Sequence, residues 1–400
     1  MSSKELGEWL RENQDKSPYW VAKRLSSNDT GLTGGHQGGP LIARTALFKL
    51  FPKLAEQASI TDDHFPLKLD SHGQECLARA VWYNSKAEGR FTNLGGRKSS
   101  LLDIDNTGAL AVFAFRFDAQ NKVSECRAWL CRNLTEEELF EQSIGPVEPK
   151  EFLIWFDDAS RSFEPVIHPH NNPCFLHPEK IPHAWMRKFP SGEEIIDKVI
   201  ELRPKRSSDP DTRLVRRREC EYELFQSIES ATFLPRMTDG FRSMTDFTSL
   251  AQSILQSRKS RSGKSLELHA RQIFVEEGLK RDQEFSHQPK IDGAPDFVFP
   301  SQSAYVDPDF PVHQLRMMAA KTTCKDRWRQ VTREAKRVKI KHLLTLQQGV
   351  TESQFNEMED AGVRLVVPKS LHTSYPESVR ARLLSFENFI KEVQKLSSRR

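Results

Sequence analysis

The sequence predicts two domains: a mainly β barrel with flanking helices, then an α/β/α layered domain on a central mixed sheet. Three observations carry that expectation. The chain has 400 residues, more than one typical core serves. Up to about residue 163, short apolar runs alternate with glycine-rich turns. Beyond residue 182, helical patterns alternate with short apolar strands, the order of a layered fold. Between them, Glu164 to Pro182 is rich in Pro, His and Asn, the composition of a boundary. The expected division is 1–165, a linker over 166–182, and 183–400.

Taken in order, Lys4 to Arg24 reads as an amphipathic helix interrupted at Pro18, anchored by Leu6, Trp9, Leu10, Tyr19, Trp20 and Val21. Strands follow at Phe65–Leu69, Ala78–Tyr83, Ala109–Phe117, Lys122–Leu130 and Phe152–Phe156. Ala109–Phe117 is almost continuously apolar, as a central strand would be. Thr135–Gln142 reads as a short helix, with Thr135 as N-cap and Glu138 three residues on. In the second half, helical patterns cover Ser191–Leu202, Asp211–Ser230, Met244–Ser257 and Ser265–Glu277. Strands are expected at Phe297–Phe299, Leu315–Ala320, Ile340–Leu346 and Val363–Val367. A helix over Cys324–Val338 would separate the second strand from the third. Further helices are expected at Thr351–Asp360 and Pro376–Leu396.

Composition excludes several classes. No apolar run reaches the roughly eighteen residues that span a bilayer. Six cysteines form no Cys-x-x-Cys pair and no apolar leader opens the chain, so free thiols in a reducing cytoplasm are expected. Lys and Arg number 59 against 55 Asp and Glu, and a net charge of +4 does not by itself announce nucleic acid. The positive charge is local: Arg213–Arg218, Arg258–Lys264 and the segment after Lys321. In the boundary stretch, His168, His170, Cys174 and His177 lie close enough to raise zinc binding or a histidine nuclease. The intervening prolines and the lack of partner cysteines favour a linker.

The densest chemistry lies in Pro295-Asp296-Phe-Val-Phe-Pro300 and in Lys321-Thr-Thr-Cys-Lys-Asp-Arg-Trp-Arg-Gln-Val-Thr-Arg-Glu334. An Asp heading one strand and a Lys ending the next can share a wet pocket. On a helix over Cys324–Val338, Arg327, Gln330, Glu334 and Val338 would share a face and turn Glu334 back toward the sheet edge. Two carboxylates and an ammonium are the minimal kit for magnesium-dependent phosphodiester hydrolysis. The alternative is a solvated basic helix after an ordinary strand. The basic residues Lys325, Arg327, Arg329, Arg333, Lys336 and Arg337, interleaved with Trp328, weigh against it.

These segments, with Leu25-Ser-Ser-Asn-Asp-Thr-Gly-Leu-Thr-Gly-Gly-His-Gln37, resemble the EcoRII-type restriction endonucleases. These belong to the PD-(D/E)XK superfamily, in a branch whose last acid has moved from the strand onto the following helix. The resemblance runs over nearly the whole chain. It implies Asp296 as central metal ligand, Lys321 as catalytic lysine, Glu334 as the displaced acid and Glu267 as the upstream helical acid, with Mg²⁺ as cofactor. It also implies an N-terminal pseudobarrel that binds a second, effector copy of double-stranded DNA and restrains the nuclease, and a homodimer cutting both strands. A companion cytosine methyltransferase is expected genetically.

Recognition residues follow. Lys325-Asp326-Arg327 places two donors around one acceptor, suited to adjacent G·C pairs in the major groove. The resemblance makes it the reader of C-C and G-G on either side of a central pair, with A or T favoured there; a solvated triplet with internal ion pairs is the alternative. Arg218 and Tyr222 are four apart on a predicted helix. Related enzymes place an arginine and an aromatic around an extruded base at this spacing, though a plain surface pair is the alternative. His36, Arg90, Arg97 and Lys98 are the candidate effector-DNA contacts on two glycine-bearing loops, the second shorter than the family's usual one. A non-catalytic DNA binder on a degenerate nuclease fold is the competing reading, and the presence of Asp296, Lys321 and Glu334 argues against it.

Overall fold

The computed structural model describes residues 2–14, 16–34, 38–56, 61–156, 173–205, 208–238, 240 and 243–397. The chain divides into two compact units. One is Met1–Pro169 with Phe233–Leu255 and Gln348–Thr351; the other is His170–Thr232 with Gln256–Gln347 and Glu352–Arg400.

Among the described residues, the first unit is built on eight strands: β1 Tyr19–Arg24, β2 Leu41–Ile42, β3 Asp62–Leu69, β4 Gln74–Tyr83, β5 Glu88–Thr92, β6 Leu110–Phe117, β7 Val123–Leu130 and β8 Phe152–Phe156. Their order is β2-β5-β4-β3-β7-β6-β1-β8. Only β3–β7 is parallel. The near-continuous apolar run of β6 is explained by burial on both faces. Ala111, Phe113 and Phe115 join one core cluster, while Leu110, Val112 and Ala114 join another with Leu6, Trp9, Trp20 and Phe140. One expectation is corrected. The opening helix ends at Gln14, and Tyr19–Arg24 is not its continuation but β1, paired with both β6 and β8. Tyr19, Trp20 and Val21 suit a strand, and Lys23 and Arg24 are buried in the same run by pairing with Asp29 and with Glu137 and Glu141.

The second unit carries β9 Ser286–His287, β10 Phe297–Phe299, β11 Arg316–Ala320, β12 Lys341–Leu344 and β13 Val363–Val366, in the order β13-β12-β11-β10-β9. β9, β10 and β11 pair antiparallel, and β11, β12 and β13 parallel, so the sheet is mixed. Leu266, Ala270, Ile273 and Phe274 bury one helix face against Phe297, Phe299, Met318, Leu344 and Val366. The two helices expected over Met244–Ser257 and Ser265–Glu277 are one, Met244–Glu276. Arg258, at the expected gap, makes a bidentate pair with Glu229 at 2.6 and 2.8 Å.

The expectation of six free thiols is also corrected. Cys174 and Cys220 form a disulfide across 46 residues of sequence. That bond removes Cys174 from any zinc set, while His168 and His170 lie outside the described residues. Cys174, Leu176 and Ile181 join an apolar cluster with Leu224 and Ile228, while Pro173, Pro182 and the residues from His177 to Lys180 are exposed. No helix among the described residues is long and apolar enough to cross a membrane.

Candidate active site

The antiparallel register Phe297↔Met318 sets the start of β10 beside the end of β11. Asp296 immediately precedes β10 and Lys321 immediately follows β11, so the pairing brings them together. The Ala320 N–H donates to Asp296 Oδ2 at 2.7 Å, and Lys321 Nζ donates to the same oxygen at 3.1 Å. The Lys321 N–H donates in turn to Leu344 O at 2.9 Å, tying the lysine to the parallel strand β12.

Glu334 reaches the same cleft by a different route from the expected helix. Only Trp328–Val331 is helical in this segment. The flanking backbone is taken by tertiary partners instead. Gln347 Oε1 accepts from the N–H groups of Cys324 and Lys325 at 2.8 and 3.0 Å. Beyond the short helix, Asp292 O accepts from the Ala335 N–H at 2.9 Å and Asp292 Oδ2 from the Lys336 N–H at 2.7 Å. Ala335 has a φ of 41°, which no helix tolerates. Gly293, at φ 74°, lies so close that an added Cβ would stand 2.5 Å from Glu334 Cα. Tyr305 OH donates to Asp292 Oδ1 at 2.5 Å and steadies the arrangement. The loop leading into β10 therefore holds both Asp296 and the turn that carries Glu334. Asp292, Gly293 and Gln347 were not singled out from sequence. The Asp-Gly dipeptide signals a turn but not its partner.

Burial pushes the Glu334 carboxyl up to about 7, with Lys321 opposing and the Asp296 charge adding to the shift. Burial also raises Asp296, opposed by Lys321 and reinforced by Glu267. Glu267, on the long helix, is buried and accepts from His287 Nε2 at 2.5 Å. The site thus gathers acids around the Lys321 ammonium, with Lys341 also opposing the shift at Glu334. Among the described residues, Glu334 Oε2 is buried without a hydrogen-bond partner. Partly desolvated carboxylates with a spare oxygen fit a hard cation. Among the described residues no three His, Cys, Asp or Glu side chains form a closed metal cluster. A cation held by one or two carboxylates keeps the rest of its shell for water and phosphate.

The remaining expected residues are distributed unevenly. Lys325, Asp326 and Arg327 are half-buried in the turn before the short helix, with Asp326 Oδ1 3.5 Å from Arg329 Nη1. Arg218 is buried and donates to Glu221 and Ser265. Arg261 lies over the Tyr222 ring at 5.2 Å. Arg90 is corrected: it stands within β5, is 3% exposed, and donates to Gly39 O at 2.9 Å beside Asp29 and Glu88. In this structure its guanidinium is taken up inside the first unit by Gly39, Asp29 and Glu88. Lys98 is exposed, on a loop clamped by Gln74, whose amide bonds Lys98 O and the Ser100 N–H at 3.0 and 2.9 Å. His36 lies outside the described residues, as does the Arg97 side chain.

The family model "EcoRII C terminal" matches residues 225–390, and "Restriction endonuclease EcoRII, N-terminal" matches 14–158. The type II restriction enzyme EcoRII of Escherichia coli is 40% identical over 402 residues, 96% of each chain. The type II restriction enzyme SsoII of Shigella sonnei is 28% identical over 161 residues, 38% of this chain and 52% of that one. Among solved structures, metal-depleted Ecl18kI with uncleaved, modified DNA covers 56% of this chain and 86% of its own, with TM-score 0.44 and 22% identity. The UbaLAI restriction endonuclease B3 domain with cognate DNA covers 38% and 98%, with TM-score 0.28 and 22% identity. The chain is therefore a type II restriction endonuclease, a site-specific deoxyribonuclease. It belongs to the EcoRII family.

Proposed function

We propose that Asp296, Lys321, Glu334 and Glu267 form the hydrolytic centre of this endonuclease, with Asp296 and Glu334 holding Mg²⁺. The observation that carries this reading is Lys321 Nζ on Asp296 Oδ2 beside the unpartnered, buried oxygen of Glu334. When bound, the cation supplies charge neutralisation at the phosphate and a water of lowered pKa. Lys321 sets an ammonium where negative charge grows as the phosphodiester bond breaks. Asp296 orients that ammonium, and Glu334 completes the acidic wall. Glu334 standing beyond β11 instead of on it supports the reading of a displaced acid, although a turn and not a helix carries it.

The wider reading completes the enzyme. The target is double-stranded DNA with C-C and G-G flanking a central, A or T, pair. Lys325 and Arg327 donate to guanine and Asp326 accepts from cytosine. Tyr222 stacks on an extruded central base with Arg218 beside it, which requires Arg218 to leave Glu221. The catalytic domain, 183–400, is an α/β/α layer that works as a homodimer, one strand cut per subunit. The N-terminal pseudobarrel, 1–165, binds effector DNA through His36, Arg97 and Lys98, and a second site activates cleavage. A host would need a cytosine methyltransferase.

The test is Asp296→Asn, which removes charge with little change in size. Cleavage should fall by several orders of magnitude while DNA affinity stays within about tenfold, because binding is carried elsewhere. Near-wild-type cleavage of a linear plasmid with magnesium would refute the assigned site.

A further inference from the structure

The two-residue strand β9 carries a side chain that the reading above leaves unused. His287 Nε2 lies 2.5 Å from Glu267 Oε1, and both side chains are 7% exposed. The register His287↔Phe297 fixes this histidine on the strand next to the one Asp296 heads. The Gln288 N–H donates to Asp296 O at 2.9 Å, so backbone as well as side chain joins β9 to the site. The imidazole packs on the Phe297 ring, centroids 5.3 Å apart, which restricts its rotation. From the opposite side, Glu267 stands on the helix that buries Leu266, Ala270 and Phe274 against the sheet.

We propose that His287 is a positioning residue of the active site, holding Glu267 Oε1 so that Oε2 alone is offered to the cleft. This rests on the reading of Glu267 as a catalytic acid. A carboxylate at the end of a helical side chain has free rotation about its last bonds. A buried N–H donor fixed by ring packing removes that freedom and keeps the acid in place before substrate arrives. The Glu267 charge is felt at Asp296, so an error in its orientation reaches the central acid. Histidine suits this position because its donor lies at the far end of a rigid ring. Glu267 is not one of the two proposed Mg²⁺ ligands but its charge reaches Asp296, which is, and outer partners of a metal site commonly matter by about 10–100-fold in affinity or rate.

The experiment uses the full chain and four variants: H287F, H287Q, E267Q and the double variant E267Q/H287F. Phenylalanine keeps the ring against Phe297 and removes the donor, while glutamine keeps an N–H near the Nε2 position. H287F should lower kcat by about 10–100-fold, with KM for DNA within about threefold, and should weaken Mg²⁺ binding measured calorimetrically. H287Q should recover part of both losses. The double variant should be no worse than E267Q, because His287 acts through Glu267. Additive losses in the double variant, or wild-type kcat and Mg²⁺ affinity in H287F, would overturn the positioning role. If H287F does not fold, H287A, which also lacks the donor, takes its place, and wild-type kcat and Mg²⁺ affinity in H287A overturn the role instead. Wild-type activity in E267Q would overturn the catalytic reading of Glu267 itself, a distinct outcome.

Discussion

Glu334 shows what a single buried acid costs and supplies. Its folded pKa of about 7 stands above the ordinary value of 4.5, so the native state keeps a proton that the unfolded chain has lost. Between these values the fold binds more protons than the unfolded state, and stability falls as pH rises. The loss is complete above about 7 and amounts to roughly 3 kcal/mol at most. Glu334→Gln removes that slope. Without metal at pH 8 it should melt above the wild type, yet cleave DNA several orders of magnitude more slowly. Magnesium should raise the melting temperature of the wild type and not of the variant. A variant that melts lower at pH 8 would show that the charged carboxylate stabilises the fold. Arg327 permits a second measurement. If it reads guanine, Arg327→Ala should lose about 1–3 kcal/mol of discrimination, weakening cognate duplex more than random duplex. Equal weakening on both would reduce it to a phosphate contact.

At the scale of elements, the site depends on a loop-to-turn clasp and not on a helix. Asp292 accepts two backbone N–H groups from the Ala335–Lys336 turn, and Gly293 allows the close approach. Gly293→Ala places a Cβ against Glu334 backbone at a φ that alanine resists, a strain of about 1–3 kcal/mol. The turn must then move. Thermal stability and cleavage should both drop, with DNA binding less affected. Unchanged cleavage would mean that the clasp does not set the position of Glu334. The Cys324–Val338 expectation failed for a readable reason. Arg327, Gln330 and Glu334 are spaced as a helix requires, but Gln347 and Asp292 offer the backbone better partners than the next helical turn does. Each lies 22 or more residues from the backbone N–H it accepts from.

At the scale of the whole molecule, two family domains lie in one chain. If each binds DNA, as proposed, the two surfaces raise each other's effective concentration. Supplying an uncleaved second site in trans should speed cleavage of a single-site duplex by the intact enzyme. A rate independent of added sites would remove the activation model and leave the endonuclease untouched. Lys98 offers a matched control, being exposed on a loop of the first unit. Lys98→Ala should lower the response to second-site DNA more than basal cleavage.

Periodicity and composition alone determined the two-domain order, most strands, the central place of β6, and the chemical identity of Asp296, Lys321 and Glu334. Those are local properties: apolar alternation reports burial, and a carboxylate or ammonium keeps its chemistry wherever it is placed. Tertiary structure alone decided that Tyr19–Arg24 is a strand, that Arg90 is buried with Asp29, and that Cys174 meets Cys220. It also decided that Glu334 is delivered by a turn and that His287 stands behind Glu267. Each depends on a partner distant in sequence. A backbone N–H or a charge takes the best acceptor the fold brings near, and short-range pattern carries no information about which one that will be.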